Sequence, residues 1–179
     1  MADFRAIEAA CAGILRMLEQ SWRPDLTEGE SPLFRVYRAP NFADPMETGV
    51  SLFLYKVTVN TSPQRLPGRS APGSAHAPQP LLLDLHVLIT PWAQDAVIQQ
   101  AILGWAMRLL ADAPNLPAAL LNHSEPGVFD PDETVEVIPA QLSGEELFRI
   151  HGLLPGHFSL SVPYLLRGLR VRSLTLENP

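Results

Sequence analysis

Apolar residues recur along this chain at two different spacings, and the switches between them lay out its elements. Phe4, Ile7, Cys11, Ile14, Leu15 and Leu18 fall three and four apart, the spacing that lines one face of an α-helix, here over residues 3–20. Asp3 stands where an N-cap belongs, and Pro24 follows the end of the pattern. Residues 33–38 change to alternation. Phe34, Val36 and Arg38 fall on one side and Leu33, Arg35 and Tyr37 on the other, which predicts a short strand. Pro40 and Pro45 bracket a turn-rich connection. Residues 50–59 (VSLFLYKVTV) start apolar on both faces, as a central or doubly covered strand does, and Lys56 and Thr58 mark where it becomes exposed.

Residues 61–80 break the pattern with Pro63, Pro67, Pro72, Pro78 and Pro80. Neither a helix nor a ladder persists through such a run. It reads as a long excursion between two neighbouring strands. The second strand, 81–90 (LLLDLHVLIT), places Leu81, Leu83, Leu85, Val87 and Ile89 on a core face and Leu82, Asp84, His86, Leu88 and Thr90 on the other. Residues 95–111 return to helical spacing through Ile98, Ala101, Ile102, Trp105 and Leu109, with Asp95 as N-cap and Pro114 and Pro117 as stops. Gly104 lies mid-helix, where it costs about 1 kcal/mol relative to Ala, and close packing on a sheet would account for it.

Residues 133–138 read as a strand with Val135 and Val137 inward. Ser143 and Glu146 form a capping box that opens a short helix over 144–151. The β-rich stretch 158–176 contains Pro163, which cannot donate to a ladder and so favours an edge or a bulge. The expected fold is α+β: a mixed, mainly antiparallel sheet packed with two longer helices and one short one. The chain, 1–179, reads as a single domain interrupted by the Pro-rich loop.

Composition narrows the function. Of 179 residues, 46% are hydrophobic and 18% charged. That is globular rather than disordered, with a charged fraction low enough to suggest surface buried in an assembly. The net charge of −6 lacks the basic footprint of a nucleic-acid binder. Cys11 is the single cysteine and cannot form an internal disulfide, which fits a reducing compartment; its place on the helical stripe makes it a packing residue. The N-terminus does not read as a signal peptide, and the apolar runs fall short of the ~20 residues that span a bilayer. The expected location is the cytoplasm, without membrane insertion.

No glycine-rich phosphate loop, nucleophile elbow, metalloprotease helix or cysteine pair is present, and no cofactor is implied. The five histidines show no metal-ligand spacing, although His151 and His157 flank a Pro-Gly turn and could approach each other. Asp84 and His86 share a strand face and form the most chemistry-like pair; an acid beside an imidazole can make a general base, and a polar surface patch is the plainer reading. Asp130/Asp132 and Glu145/Glu146 fit a turn and a helix start. Arg167, Arg170 and Arg172 cluster near the C-terminus without interleaved aromatics, which suits a rim facing an acidic protein partner or simple strand-face solvation.

An ordered set of segments carries a resemblance. It runs from Ile14-Leu15-Arg16-Met17-Leu18 to Val50-Ser51-Leu52-Phe53-Leu54-Tyr55-Lys56-Val57 ending at Asn60, with Arg65 after it. It continues through Leu83-Asp84-Leu85-His86-Val87-Leu88-Ile89-Thr90, leading to Trp92, and Ile102-Leu103-Gly104-Trp105-Ala106-Met107-Arg108-Leu109-Leu110. It closes with Leu142-Ser143-Gly144-Glu145-Glu146-Leu147 and Ser161-Val162-Pro163-Tyr164. Over nearly the whole chain this resembles the N-terminal domain of the cap, or tail-terminator, proteins of extracellular contractile injection systems, such as the Photorhabdus virulence cassettes and antifeeding prophage. The chain departs from that pattern in a longer, more Pro-rich loop after Asn60 and in Ile150 or His151 where an aromatic is expected.

The resemblance implies a tail-terminator-like fold and a function without chemistry. Copies would form a ring, expected to be hexameric, on the distal end of the particle, against the last layers of sheath and inner tube. Open-ended polymers of heterologous contacts grow until a subunit offers no further end. A free sheet edge could accept a sheath strand, and the strand carrying Pro163 is the expected edge. Loop 61–80 is expected to order on docking. Arg65, Arg69, Pro163, Arg167, Arg170 and Arg172 are the expected partner-contacting residues. Alternatives from the same machine are a baseplate adaptor or an assembly chaperone. From other classes come a small hydrolase using Asp84 and His86, which would need a concave pocket at that strand end, and a soluble regulatory domain.

Overall fold

The computed structural model describes residues 1–27, 29, 31–60, 80–156 and 158–174. The loop expectation for 61–80 therefore lies, apart from Pro80, outside the described residues, as do Arg65, Arg69 and His157. The elements are α1 (Ala6–Gln20), β1 (Leu33–Tyr37), β2 (Gly49–Val59), β3 (Leu81–Trp92), α2 (Ala96–Asp112), β4 (Asn115–Pro117), α3 (Ala118–Leu121), β5 (Thr134–Pro139), α4 (Gly144–Gly152) and β6 (Val162–Val171). The strands form one sheet in the order β1-β2-β3-β6-β5-β4. β1 and β2 run parallel; the other strand pairs among the described residues are antiparallel.

One face of the sheet carries the main core. α1 and α2 lie on it, and Ile14, Leu18, Leu52, Leu85, Ile89, Ile102, Leu110 and Leu166 are fully buried. Each such side chain contributes about 1.5–3 kcal/mol by leaving water. Val135 and Val137 of β5 point into this core, as alternation requires. Trp22 closes the side of the layer, edge-on to Phe34 (5.7 Å) and to Trp105 (5.0 Å). The other face holds a smaller cluster of Tyr37, Phe42 and Trp92, joined by Met46, Phe53 and Leu154. Phe42 reaches it because the connection between the parallel strands β1 and β2 crosses that face. The indole of Trp92 donates to Ser51 Oγ at 2.8 Å, and Tyr37 Oη accepts from the amide of Met46 at 2.7 Å.

β3 runs straight while both of its neighbours bulge opposite the same stretch. On β2, Tyr55 is the extra residue between Leu54 and Lys56; on β6, Arg167 and Gly168 stand opposite Asp84 alone. Gly168 has φ +87°, the left-handed conformation that such a bulge demands. The Tyr55 bulge reverses the alternation of β2, so Lys56 rather than Val57 joins the side of His86. Thr58, expected to be exposed, is half-buried and bonded to His86, while Val57 and Val59 are exposed beyond the helices.

Other expectations need correction. Leu81, expected on the core face of β3, is 47% exposed at the start of the strand. Phe4 is not on the buried stripe: it is 66% exposed, and α1 begins at Ala6. The segment before it is held elsewhere, with Ala2 N donating to Arg170 O at 2.9 Å and Arg172 N to Ala2 O at 2.8 Å. Asp3 is therefore not the N-cap; that position is Arg5, whose amide donates to buried Asp3 Oδ1 at 2.8 Å. Gly104 meets nothing where a Cβ would stand; the helix glycine that permits close packing is Gly13, whose added Cβ would lie 3.3 Å from Leu121 Cδ2. Pro163 is not on an edge strand. β6 lies between β3 and β5, and among the described residues the edges of the sheet are β1 and β4. The proline is accommodated because its carbonyl accepts from Ala140 N at 3.0 Å. Its nitrogen points the same way, past the end of β5, so the ladder to β3 loses no donor.

β4 and α3 follow directly after α2 and have no counterpart in the periodicity, because three- and four-residue elements are too short to show one. Asp95 caps α2, accepting from Val97 N (2.7 Å) and Ile98 N (3.2 Å), and the Ser143/Glu146 box opens α4.

Candidate functional site

The polar positions of β2, β3 and β6 meet on the outer face, around the two bulges. Asp84 holds the β6 bulge: its Oδ1 accepts from Gly168 N at 3.3 Å and its Oδ2 from Asn60 Nδ2 at 3.1 Å. His86 Nε2 lies 3.1 Å from Thr58 Oγ1. Desolvation pulls the His86 pKa below its ordinary 6.5; the charge of Lys56 adds to this, and Asp84 opposes it. The ring is therefore neutral at neutral pH.

Asp84 and His86 share a face, as alternation predicts, but open into different depressions. Asp84 lines a polar groove of about 620 Å³ with Asp132, Glu133, Glu136, Arg167 and Arg170. His86 lines a second cleft of about 660 Å³ with Tyr55, Lys56, Leu142, Leu165 and residues of α4. The concave site that a hydrolase would need is thus present beside His86. The chemistry is not assembled in it, because the carboxylate of Asp84 bonds to Asn60 and Gly168 instead of orienting the ring. Thr58 Oγ1 also donates to Asp84 O, at 3.4 Å. Burial pushes the Cys11 thiol up to about 12, so it is no nucleophile.

The bulge decides where the arginines go. Plain alternation would put Arg167 and Arg170 on opposite faces; the extra residue at Gly168 turns both into the polar groove. Arg167 Nη2 pairs with Glu136 Oε2 at 2.8 Å, both exposed, a geometry of small energetic weight. Arg170 lines the same groove and makes no ion pair among the described residues. Arg172 is exposed at the end of β6, near Asp3 and Asp130. The Asp3 pKa is lowered first by its hydrogen bond from Arg5 and that of Asp130 first by the terminal ammonium, with Arg172 adding to both. Pro163 is half-buried inside the sheet and is not brought to the groove.

His151 is 7% exposed, its Nε2 has no hydrogen-bond partner among the described residues, and its ring lies 4.8 Å from that of Phe158. Desolvation lowers its pKa. Among the described residues no three metal-ligating side chains come together, and no helix is long and apolar enough to cross a membrane. The cleft under α4 was not legible in the sequence, since it depends on the Tyr55 bulge and on where α4 lands.

The six-stranded architecture is similar to a solved cryo-EM structure, the PVC sheath/tube terminator of an extracellular contractile injection system in its extended state. The TM-score is 0.61 at 17% sequence identity, over 93% of this chain and 57% of that one. The chain thus spans little more than half the length of that terminator. Among curated proteins none matches it. The model of the Pvc16 N-terminal domain matches residues 11–178, and the chain belongs to that family.

Proposed function

We propose that this chain is a structural cap, the tail terminator of a phage-tail-like contractile injection particle, and that it stops growth of sheath and tube without catalysing a reaction. The family match over residues 11–178 carries the reading. The fold shared with a sheath/tube terminator supports it. The physical logic is closure: a polymer built from head-to-tail contacts keeps an active end until a different subunit covers it.

In this proposal copies of the chain assemble in the cytoplasm as a homo-oligomeric, six-membered ring on the distal end, between the last sheath and tube layers and solvent. No cofactor takes part. With β6 inside the sheet, the edge for strand pairing passes to β1, which among the described residues is paired on one side only, while β4 is three residues long and ends in Pro117. Arg170 and Arg172 form the exposed basic rim.

The test is genetic and visual. Particles made without the chain are imaged by negative stain, and their lengths are compared with those of complemented cells. Uncontrolled lengths or ragged ends, restored by the chain, are the expected outcome. Particles of normal length and normal ends would overturn the reading.

A further inference from the structure

α2 is apolar on both of its sides. Ile102, Leu103, Ala106 and Leu110 are buried on the sheet side. The solvent side shows Val97, Ala101, Gly104 and Ala111 at three- and four-residue steps, with Met107 beside them, all exposed and Val97 at 74%. The charged residues of the helix are Arg108 and Asp112, one turn apart and paired with each other. A surface helix ordinarily turns a polar face to water, and one that is apolar all round is covered. Gly104 fits cover from outside. Glycine weakens a helix relative to alanine, yet nothing among the described residues lies within 4 Å of where its Cβ would stand. The close approach that a glycine permits is not used within the described chain.

The opposite side of the sheet carries a second apolar surface. α4 lies there, followed by Leu154 in the small cluster of that face. Its solvent side shows Phe148, 65% exposed, with its ring 5.3 Å from that of exposed Phe158. Glu145 and Arg149 stand beside Phe148 and pair with each other across one turn, Nη2 to Oε1 at 2.6 Å. The two surfaces therefore carry opposite charge orders: basic then acidic along α2, acidic then basic along α4. With the two helices side by side and running the same way, Arg108 meets Glu145 and Asp112 meets Arg149 at matching one-turn spacing. Exposed pairs of this kind set register and choose the partner, while the apolar cover supplies the affinity.

Resting on the terminator reading, we infer that copies of this chain pack face to back, the outer side of α2 in one copy covering the Phe148/Phe158 pair on α4 of the next. The occupant is a second copy because both halves of the contact, apolar and charged, belong to one chain and lie on opposite sides of its sheet. A copy bound through α2 keeps its own α4 surface free for another, and a head-to-tail contact of this kind closes into a ring when its rotation allows. A twofold pairing of α2 with α2 also matches Arg108 to Asp112, but it leaves Phe148 and Phe158 bare to water.

The test uses the full chain carrying Gly104→Cys and Phe148→Cys, both at exposed positions, assembled into particles and treated with a bis-maleimide. Cys11 is buried and stays silent. The expected product is a ladder of linked copies on a denaturing gel, ending at a closed ring, with mass spectrometry joining position 104 of one copy to position 148 of another. Each single variant is expected to stay unlinked. R108E is expected to lower the number of capped particle ends by about tenfold, with an unchanged far-UV spectrum, and E145R in the same chain is expected to restore it. Dimers from Gly104→Cys alone would place α2 on α2 and overturn the face-to-back contact. Particles that hold the doubly substituted chain yet give no link between 104 and 148 would overturn it too. So would normal capping by R108E, or a double variant R108E/E145R no better than R108E, and both results would leave the terminator reading standing. A wild-type chain absent from the particles would overturn both.

Discussion

Gly49→Ala should separate β1 from the rest of the sheet. Gly49 sits at φ +144°, and an added Cβ would lie 2.0 Å from Leu33 O and 2.7 Å from Leu33 N. Both are backbone atoms of the paired strand, and the first distance is more than an ångström inside ordinary contact. No side-chain rotation relieves it, so β1 must move. The backbone conformation alone costs about 1–3 kcal/mol for a residue with a side chain. Moving β1 strains its first hydrogen bond, Leu33 N to Thr48 O at 3.0 Å, and the ladder that starts at Leu33↔Gly49. Each lost bond is worth about 0.5–1.5 kcal/mol. The edge-on contact of Phe34 with Trp22 adds a similar amount. The sum is about 3–6 kcal/mol, a large share of the roughly 5–15 kcal/mol that holds a native domain. For a chain of this size that lowers Tm by roughly 10–20 °C. Urea unfolding followed by tryptophan fluorescence reads it directly, since Trp22 reports on Phe34. Gly168→Ala is the comparison: its φ is +87°, but no atom lies within 4 Å of the new Cβ. It should lose only the conformational cost of about 1–2 kcal/mol. A Gly49→Ala loss no larger than that of Gly168→Ala would refute the steric argument.

Gly104→Ala should instead stabilise, by up to about 1 kcal/mol, because the site is exposed, helical and empty; a lower urea midpoint would contradict this. Cys11 should resist a thiol reagent such as DTNB in the folded protein and react within minutes in urea, given its burial and a pKa near 12; fast labelling of the native state would show that the core is open there. His151 and His86 both have folded pKa values below the ordinary 6.5, so the unfolded chain binds more protons. Stability should therefore fall as the pH drops below about 6.5 and through the folded values. His151→Leu should flatten this fall between pH 7 and 5, and an unchanged pH profile would remove His151 from the account. Ser143→Ala should loosen the first turn of α4 by about 1 kcal/mol, read as faster amide exchange at Glu146 and Leu147; unchanged exchange would contradict the cap.

Much of this protein is determined locally, and that part is legible in the sequence. The stripe from Ile7 to Leu18, the alternation from Leu83 to Ile89, the Asp95 cap and the Ser143/Glu146 box each act within a few residues, so they could be read without knowing what packs against them. The inward Val135 and Val137 follow from the same rule. The order of segments also carried the resemblance to the family. The tertiary structure decided everything that depends on strands distant in sequence. Pro163 signals a missing donor, but whether that donor matters depends on where β5 ends. The arginines of β6 share a face only because Gly168 bulges opposite Asp84, and Tyr55 bulges on the other side of the same strand. Asp84 and His86 alternate correctly along β3, yet open into separate depressions because different neighbours border each. Periodicity fixes which way a side chain points from its own strand. Register, bulges and the landing of α4 fix what it meets, and those are set by the packing of the whole sheet.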